Sequence, residues 1–217
     1  MILHRMQMLL SHLYDAPVAH DVEDYLVCDR KQFAALTGDT APPAADEQVV
    51  LVQDQDEVRI GLYVDREVLD RLEQHDPLDS LDGDNLRDYC TALEGVSHFH
   101  YLMWSLARSR NVSLMELELQ ADVDKYASAL TLLTRQRNGE FPAALHTQLF
   151  HRVGYLPELS QECRRRYEEA NRHAARFCRQ LEEKFLRCRC SRPEAWLAEL
   201  RRFFRCGYQE KMREVTR

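Results

Sequence analysis

Two pairs of polar residues at helical spacing are the side chains in this sequence best suited to chemistry. Glu94 and His98 stand four residues apart, and Glu118 and Asp122 repeat that spacing in the next helical segment. Side chains four residues apart share one face of an α-helix. If the two helices pack antiparallel with these faces opposed, they bring together three carboxylates and an imidazole. Such a set can hold a divalent metal ion or pair a general base with a general acid.

The same residues also have a structural interpretation, which the sequence favours. Carboxylate-rich metal sites in helical bundles use Glu-x-x-His, whereas this chain has Glu-x-x-x-His. Acids early in a helix complement its dipole, and a Glu–His pair at this spacing can be an ordinary exposed pair. No cofactor is therefore favoured. A divalent metal ion held by Glu94, His98, Glu118 and Asp122 is the alternative.

Further candidate residues lie in the C-terminal third of the chain. Glu169 and His173 form a second Glu-x-x-x-His pair, on the flank of a predicted helical seam. Four cysteines fall close together near the end: Cys178, Cys188, Cys190 and Cys206. The Cys-x-x-Cys pairs typical of structural zinc sites do not occur in the sequence. The pattern therefore favours small apolar residues of a helix over a metal site.

An arginine-rich segment is the candidate surface for binding RNA or DNA. Its exposed candidates are Arg164, Arg165, Arg172, Arg176 and Arg179. Residues 135–217 contain 19 Lys/Arg and 11 Asp/Glu and are therefore basic, whereas residues 1–134 contain 10 Lys/Arg and 25 Asp/Glu and are acidic. The basic half could face a polyanion. Interspersed acids break any continuous positive stripe, since Glu168 stands four residues before Arg172. The charge pattern favours two halves that pack on each other.

Hydrophobic periodicity predicts the helices that must position these residues. Ser113 with Glu116, and Ser191 with Glu194, are capping boxes that begin helices. A heptad pattern over residues 161–189 predicts a helix that packs lengthwise on a neighbour. Six of the predicted helices cover residues 2–13, 30–36, 66–73, 86–110, 114–137 and 161–189. Two more begin at residue 142 and at residue 191 and end before Gly154 and Gly207, respectively.

One short region carries the pattern of β-structure. Val49–Val52 is a compact apolar run, residues 54–57 are a polar turn, and residues 58–63 alternate between apolar and other side chains. These segments predict a β-hairpin. Because two strands alone are marginal in water, they must recruit the possible strand Tyr25–Cys28 or lie against helices. Residues 39–48 are predicted to be an exposed loop.

Composition bounds the class of protein. The 217 residues are 45% hydrophobic and 30% charged, which is typical of a globular chain rather than a disordered one. No apolar run approaches the length of a membrane-spanning helix, and polar residues interrupt the N-terminal apolar stretch, which is therefore not interpreted as a signal peptide. Seven cysteines, an odd number, indicate reduced thiols and a cytoplasmic protein. Only four of the 29 basic residues are lysine, a bias typical of GC-rich bacterial genomes.

These observations predict an α+β fold that is predominantly α, with a small antiparallel β-hairpin region packed on a bundle of long antiparallel helices. Residues 1–83 form the N-terminal α+β region, with the hairpin near 49–63, and residues 84–217 form the bundle, the two making one compact unit.

The sequence contains no phosphate-binding glycine-rich loop, no G-x-S-x-G and no H-E-x-x-H. The favoured function is that of a non-enzymatic protein that binds a protein partner, or a second copy of itself, through its helical surface. A metal-dependent enzyme and RNA or DNA binding are the alternatives, and no membrane is implied.

Overall fold

The computed structural model confirms the predominantly helical α+β fold. It describes residues 1–37, 46–54, 57–152, 154, 157, 159–186 and 193–216. None of the helices in these residues combines the length and the apolar composition needed to cross a bilayer. The helices are α1 (Ile2–Tyr14), α2 (Arg30–Thr37), α3 (Arg66–Gln74), α4 (Leu86–Leu106), α5 (Leu114–Gln136), α6 (Leu145–His151), α7 (Gln161–Leu181), α8 (Pro193–Arg205) and α9 (Tyr208–Thr216).

Local capping contacts explain where several helices begin. The Asp65 side chain accepts a hydrogen bond from the Glu67 backbone N–H at 2.9 Å, which starts α3. The Ser113 hydroxyl accepts one from the Glu116 N–H at 3.2 Å, which starts α5. Only this half of the predicted capping box is observed, because the Glu116 carboxylate instead binds Tyr101 and Arg110. The second predicted capping box begins at Ser191, outside the described residues.

Three long helices form the centre of the molecule. Helix α5 packs against both α4 and α7, and α1 packs on α4 and α8. The heptad pattern of α7 is confirmed in its C-terminal half, where Ala170, Ala174 and Phe177 are buried. Cys163 and Tyr167 are only partly buried. Helix α4 ends at Leu106, four residues before the predicted end, because residues 107–110 form a turn that closes on the Ser105 carbonyl.

The three strands of the described residues form one mixed sheet in the order β1–β3–β2, with β1 at Leu26–Val27, β2 at Glu47–Asp54 and β3 at Glu57–Val64. Strands β2 and β3 are the predicted antiparallel hairpin. The strand predicted at residues 25–28 is confirmed at Leu26–Val27 only, and it pairs in parallel with β3, so the sheet is not purely antiparallel. Strand β2 begins at Glu47, so the predicted loop ends earlier than expected. Residues 38–45 of that loop and residues 55–56 of the turn lie outside the described part of the chain.

One face of the sheet packs on α4, and this contact positions the candidate site. Both β2 and β3 contact α4, and Leu62 of β3 is fully buried against it. Gly95 lies at this contact in the middle of α4. A Cβ atom there would come within 2.6 Å of the Leu62 Cδ1 atom. The absence of a side chain at Gly95 therefore lets the sheet approach the helix backbone closely.

Candidate metal centre

Glu94, His98 and Glu118 converge at the contact between α4 and α5. One ligand atom from each of the three side chains lies within 4.8 Å of the other two. Glu94 and His98 occupy successive turns of α4, and Glu118 lies in the second turn of α5. Two ligand atoms on opposite sides of one ion are about 4–4.5 Å apart. The 4.8 Å limit is only slightly longer, so a small inward movement of the three side chains would let them bind a single metal ion.

The group is buried rather than exposed. His98 is 8% exposed and Glu118 is 7% exposed, while Glu94 is partly buried. The interpretation of Glu94 and His98 as an exposed surface pair is therefore wrong. Helix periodicity placed both residues on one face, but it did not show that this face lies against α5 and the sheet.

His98 has an incomplete set of partners. Its Nε2 atom lies 3.5 Å from Oε2 of Glu118, yet it makes no hydrogen bond of acceptable geometry within the described residues. A buried polar atom without a partner costs free energy, and such atoms are uncommon in folded proteins. An imidazole nitrogen that lies beside a carboxylate without a hydrogen bond can also bind a metal ion once it has lost its proton.

Lys125 and Arg166 hold the carboxylates from two sides. The Lys125 Nζ atom lies 2.9 Å from Oε2 of Glu94 and 2.7 Å from Oδ1 of Asp122. The Nε atom of Arg166, on α7, lies 3.4 Å from Oε1 of Glu118. Asp122, the fourth residue predicted for the cluster, is thus paired with Lys125 and lies outside the group of three converging ligands.

Glu47 is the residue of this site that sequence reasoning missed. It was assigned to an exposed loop, but it is the first residue of β2, and its Oε2 atom is buried with no hydrogen-bond partner in the described part of the chain. That atom lies 2.9 Å from the position that a Cβ on Gly95 would occupy. The Glu47 carboxylate therefore lies over the α4 backbone beside Glu94. A glycine inside a predicted helix was the only sequence signal that another group approaches there.

The electrostatics show an excess of negative charge. Four acids (Glu47, Glu94, Glu118 and Asp122) share this region with the permanent cations Lys125 and Arg166. Burial, together with the neighbouring charge of Glu94, raises the pKa of the Glu47 carboxyl group. Burial opposes protonation of His98, but the contact with Glu118 and the charges of Glu118, Glu47 and Glu94 outweigh it and raise the His98 pKa to about 9. Protons on Glu47 and His98, or a bound cation in their place, would balance this negative charge.

A second buried polar cluster lies on another face of α5, and its groups bind one another. The Asp124 carboxylate accepts hydrogen bonds from Ser97 at 2.6 Å, from Gln120 at 2.6 Å and from Tyr14. Burial raises the Asp124 pKa to about 6. Lys211 donates to Gln120, and burial lowers its pKa to about 7. Because its main acceptors are occupied, this cluster is interpreted as a structural network.

The remaining candidate residues are dispersed. His173 lies 3.6 Å from Glu169, whose side chain is 46% exposed, and no third metal-binding group of the described residues joins them. Cys178 is buried and Cys206 is partly buried, whereas Cys188 and Cys190 lie outside the described residues. Among the arginines, Arg165, Arg172 and Arg176 are exposed on α7. Arg164 pairs with Glu168, and Arg179 pairs with Glu182.

Comparison of the chain with protein-family models, with curated proteins and with solved structures gave no match. The site must therefore be interpreted from its own chemistry.

Proposed function

We propose that this protein is a metal-dependent enzyme that binds a divalent ion through Glu94, His98 and Glu118. The observation that carries the proposal is the convergence within 4.8 Å of three ligand atoms from two helices, two of them on buried residues and one on a partly buried residue. A cluster that served only folding would be expected to pair its polar atoms fully. Here the Nε2 atom of His98 lies 3.5 Å from Oε2 of Glu118 without a hydrogen bond of acceptable geometry among the described residues, and a bound ion would replace the proton that the raised pKa keeps on this imidazole.

The ligand types favour Mn²⁺ or Fe²⁺. Carboxylates suit harder ions such as Mn²⁺, and imidazole suits iron and zinc, so a mixed set of two carboxylates and one imidazole lies between these preferences. Catalytic metal sites commonly use three protein ligands and leave positions for water or substrate. A three-ligand set fits that pattern better than a closed structural site.

The neighbouring cations would orient the ligands. Lys125 holds Oε2 of Glu94, and Arg166 lies beside Oε1 of Glu118, which leaves the other oxygen of each carboxylate for the ion. The side chains of Glu94, Lys125 and Arg166 remain 17–22% exposed. This exposed rim would give water and a small substrate access to an ion, while the imidazole and Glu118 would lie deeper.

Isothermal titration with Mn²⁺, on protein first treated with a chelator, tests this proposal. We expect one ion per chain, with affinity reduced by about 10-fold or more in His98→Gln. His173→Gln is the matched control, because His173 also stands four residues after a glutamate on a helix but has no third ligand of the described residues beside it. Failure of the wild-type protein to bind Mn²⁺, Fe²⁺ or Zn²⁺, or an equal loss in both variants, would refute the proposal.

A further inference from the structure

We infer that Glu47 supplies a fourth ligand to the proposed ion, so that metal binding fastens the β-hairpin to the helical bundle. The inference rests on the proposed function and extends it from α4 and α5 to the sheet. Glu47 is separated from Glu94 by 46 intervening residues and belongs to a different layer of the fold. An ion held by all four residues would therefore connect the two layers directly.

The position of Glu47 supports this role. Its buried Oε2 atom lies 2.9 Å from the ideal Cβ position of Gly95, the residue that directly follows Glu94 in α4. His98 is one turn further along the same helix. Glu47 thus lies above the stretch of backbone that connects two of the proposed ligands, outside the group of three mutually close ligand atoms, and its carboxylate would move toward the ion on binding. It can approach so closely only because residue 95 has no side chain.

The partners of the surrounding charges support it independently. Lys125 is shared between Glu94 and Asp122, and Arg166 lies beside Glu118. The Oε2 atom of Glu47 has no hydrogen-bond donor within the described residues. A carboxylate oxygen that is buried without a donor is costly unless a proton or a cation neutralises it. A divalent ion shared with Glu94, His98 and Glu118 supplies that cation.

The location of Glu47 in the sheet determines which part of the fold a bond between Glu47 and the ion would fix in place. Glu47 pairs with Val64, the last residue of β3, and the adjacent Asp46 carbonyl accepts a hydrogen bond from the Asp65 N–H at 2.8 Å. Glu47 is therefore fixed to the end of the hairpin next to α3. For an ion with six ligands, four protein ligands still leave two positions for water or substrate, so this role is compatible with the proposed enzyme.

Hydrogen–deuterium exchange of the full chain, with and without saturating Mn²⁺, tests the inference. We expect Mn²⁺ to slow amide exchange in α4, in α5 and in the β2–β3 hairpin of the wild-type protein. In Glu47→Gln, Mn²⁺ affinity should fall by about 10-fold or more, and at saturating Mn²⁺ the added protection of the hairpin should be lost while that of the helices remains. Asp46→Asn is the matched control, since Asp46 is the exposed neighbouring acid, and it should behave as the wild type.

The outcomes separate this inference from the proposed function. If the wild-type protein binds no metal ion, both are overturned. If it binds Mn²⁺ and Glu47→Gln binds equally well, the three-ligand proposal stands and the role of Glu47 is refuted. The wild-type measurement alone is also decisive, because protection confined to α4 and α5 would overturn the inference even if Glu47→Gln failed to fold.

Discussion

Replacing Gly95 with alanine tests whether the sheet approaches α4 as closely as the structure shows. The new methyl carbon would lie 2.6 Å from Cδ1 of Leu62 and 2.9 Å from Oε2 of Glu47. Carbon atoms in favourable contact are about 3.5–4.0 Å apart. Leu62 is fully buried, so its side chain cannot move away without disturbing other core residues.

Two opposing effects set the expected size of the change. In an unobstructed helix interior, Gly→Ala stabilises a protein by about 1 kcal/mol. Forcing an extra methyl group into a packed core costs about 1–3 kcal/mol. We therefore expect Gly95→Ala to lower the free energy of unfolding by about 1 kcal/mol. The sign of the change is the decisive quantity, because free space at this position would give a gain of similar size.

Urea unfolding measures this change as a shift in the midpoint urea concentration, with no change in the dependence of the free energy on urea. For a chain of this length, Tm should also fall by about 2–4 °C. The control is the same substitution in a Leu62→Ala background. Removing the Leu62 side chain relieves the closer contact, and the Glu47 carboxylate can move away because it ends a flexible side chain, so Gly95→Ala should there be neutral or stabilising. A stabilisation of about 1 kcal/mol in the wild-type background would refute the close approach of β3 to α4.

Two further predictions concern buried polar side chains outside the candidate site. Burial lowers the His100 pKa from 6.5 to about 4, against a smaller opposing effect of the Ala16 carbonyl, so the folded protein keeps this imidazole neutral. Below pH 6.5 the unfolded chain binds this proton more readily than the folded protein does, so the free energy of unfolding decreases as the pH is lowered. Between pH 7 and pH 4 the free energy of unfolding of the wild type should therefore decrease by about 3 kcal/mol relative to that of His100→Phe. Asn85→Ala should cost about 2–3 kcal/mol in urea unfolding, because the Asn85 amide accepts a hydrogen bond from the Asp82 N–H at 3.0 Å and donates one to the Ser80 carbonyl at 2.8 Å.

Each of these two predictions has a clear contradicting result. A constant difference in stability between the wild type and His100→Phe across pH 4–7 would show that His100 is not held neutral by burial. For Asn85, the control is Asp84→Ala at the exposed neighbouring position, which should change stability by less than about 0.5 kcal/mol. Equal effects of the two alanine substitutions would mean that the Asn85 amide does not hold the turn before α4.

Local sequence patterns predicted most of the secondary structure because their signals span only a few residues. The hydrophobic spacing of α5 and the cap at Ser113 were sufficient to locate that helix, observed at Leu114–Gln136. The alternation over residues 58–63 likewise located β3. The parallel pairing of β1 with β3 was not predictable in the same way, because two residues carry no directional signal and the pairing depends on the intervening chain.

The candidate site was likewise predictable from the sequence only in part. The spacing of Glu94 and His98, and of Glu118 four residues before Asp122, correctly grouped residues on helix faces. It did not separate Glu118, which converges with Glu94 and His98, from Asp122, which pairs with Lys125. That distinction depends on the position of α5 along its axis relative to α4, which places Glu118 beside His98 and Asp122 one turn further along, beside Lys125.

The sequence by itself located most of the helices and strands, although not α9 (Tyr208–Thr216), since period, caps and turn residues act between near neighbours in the chain. It also identified the acids and the histidine able to bind a metal ion. Only the tertiary structure decided that His98 and Glu118 are buried, that their ligand atoms converge with that of Glu94, and that Glu47 approaches the same helix from the sheet. The physical reason is that burial and convergence depend on how separate elements pack, and the close approach at Gly95 involves residues from two strands and a helix at once.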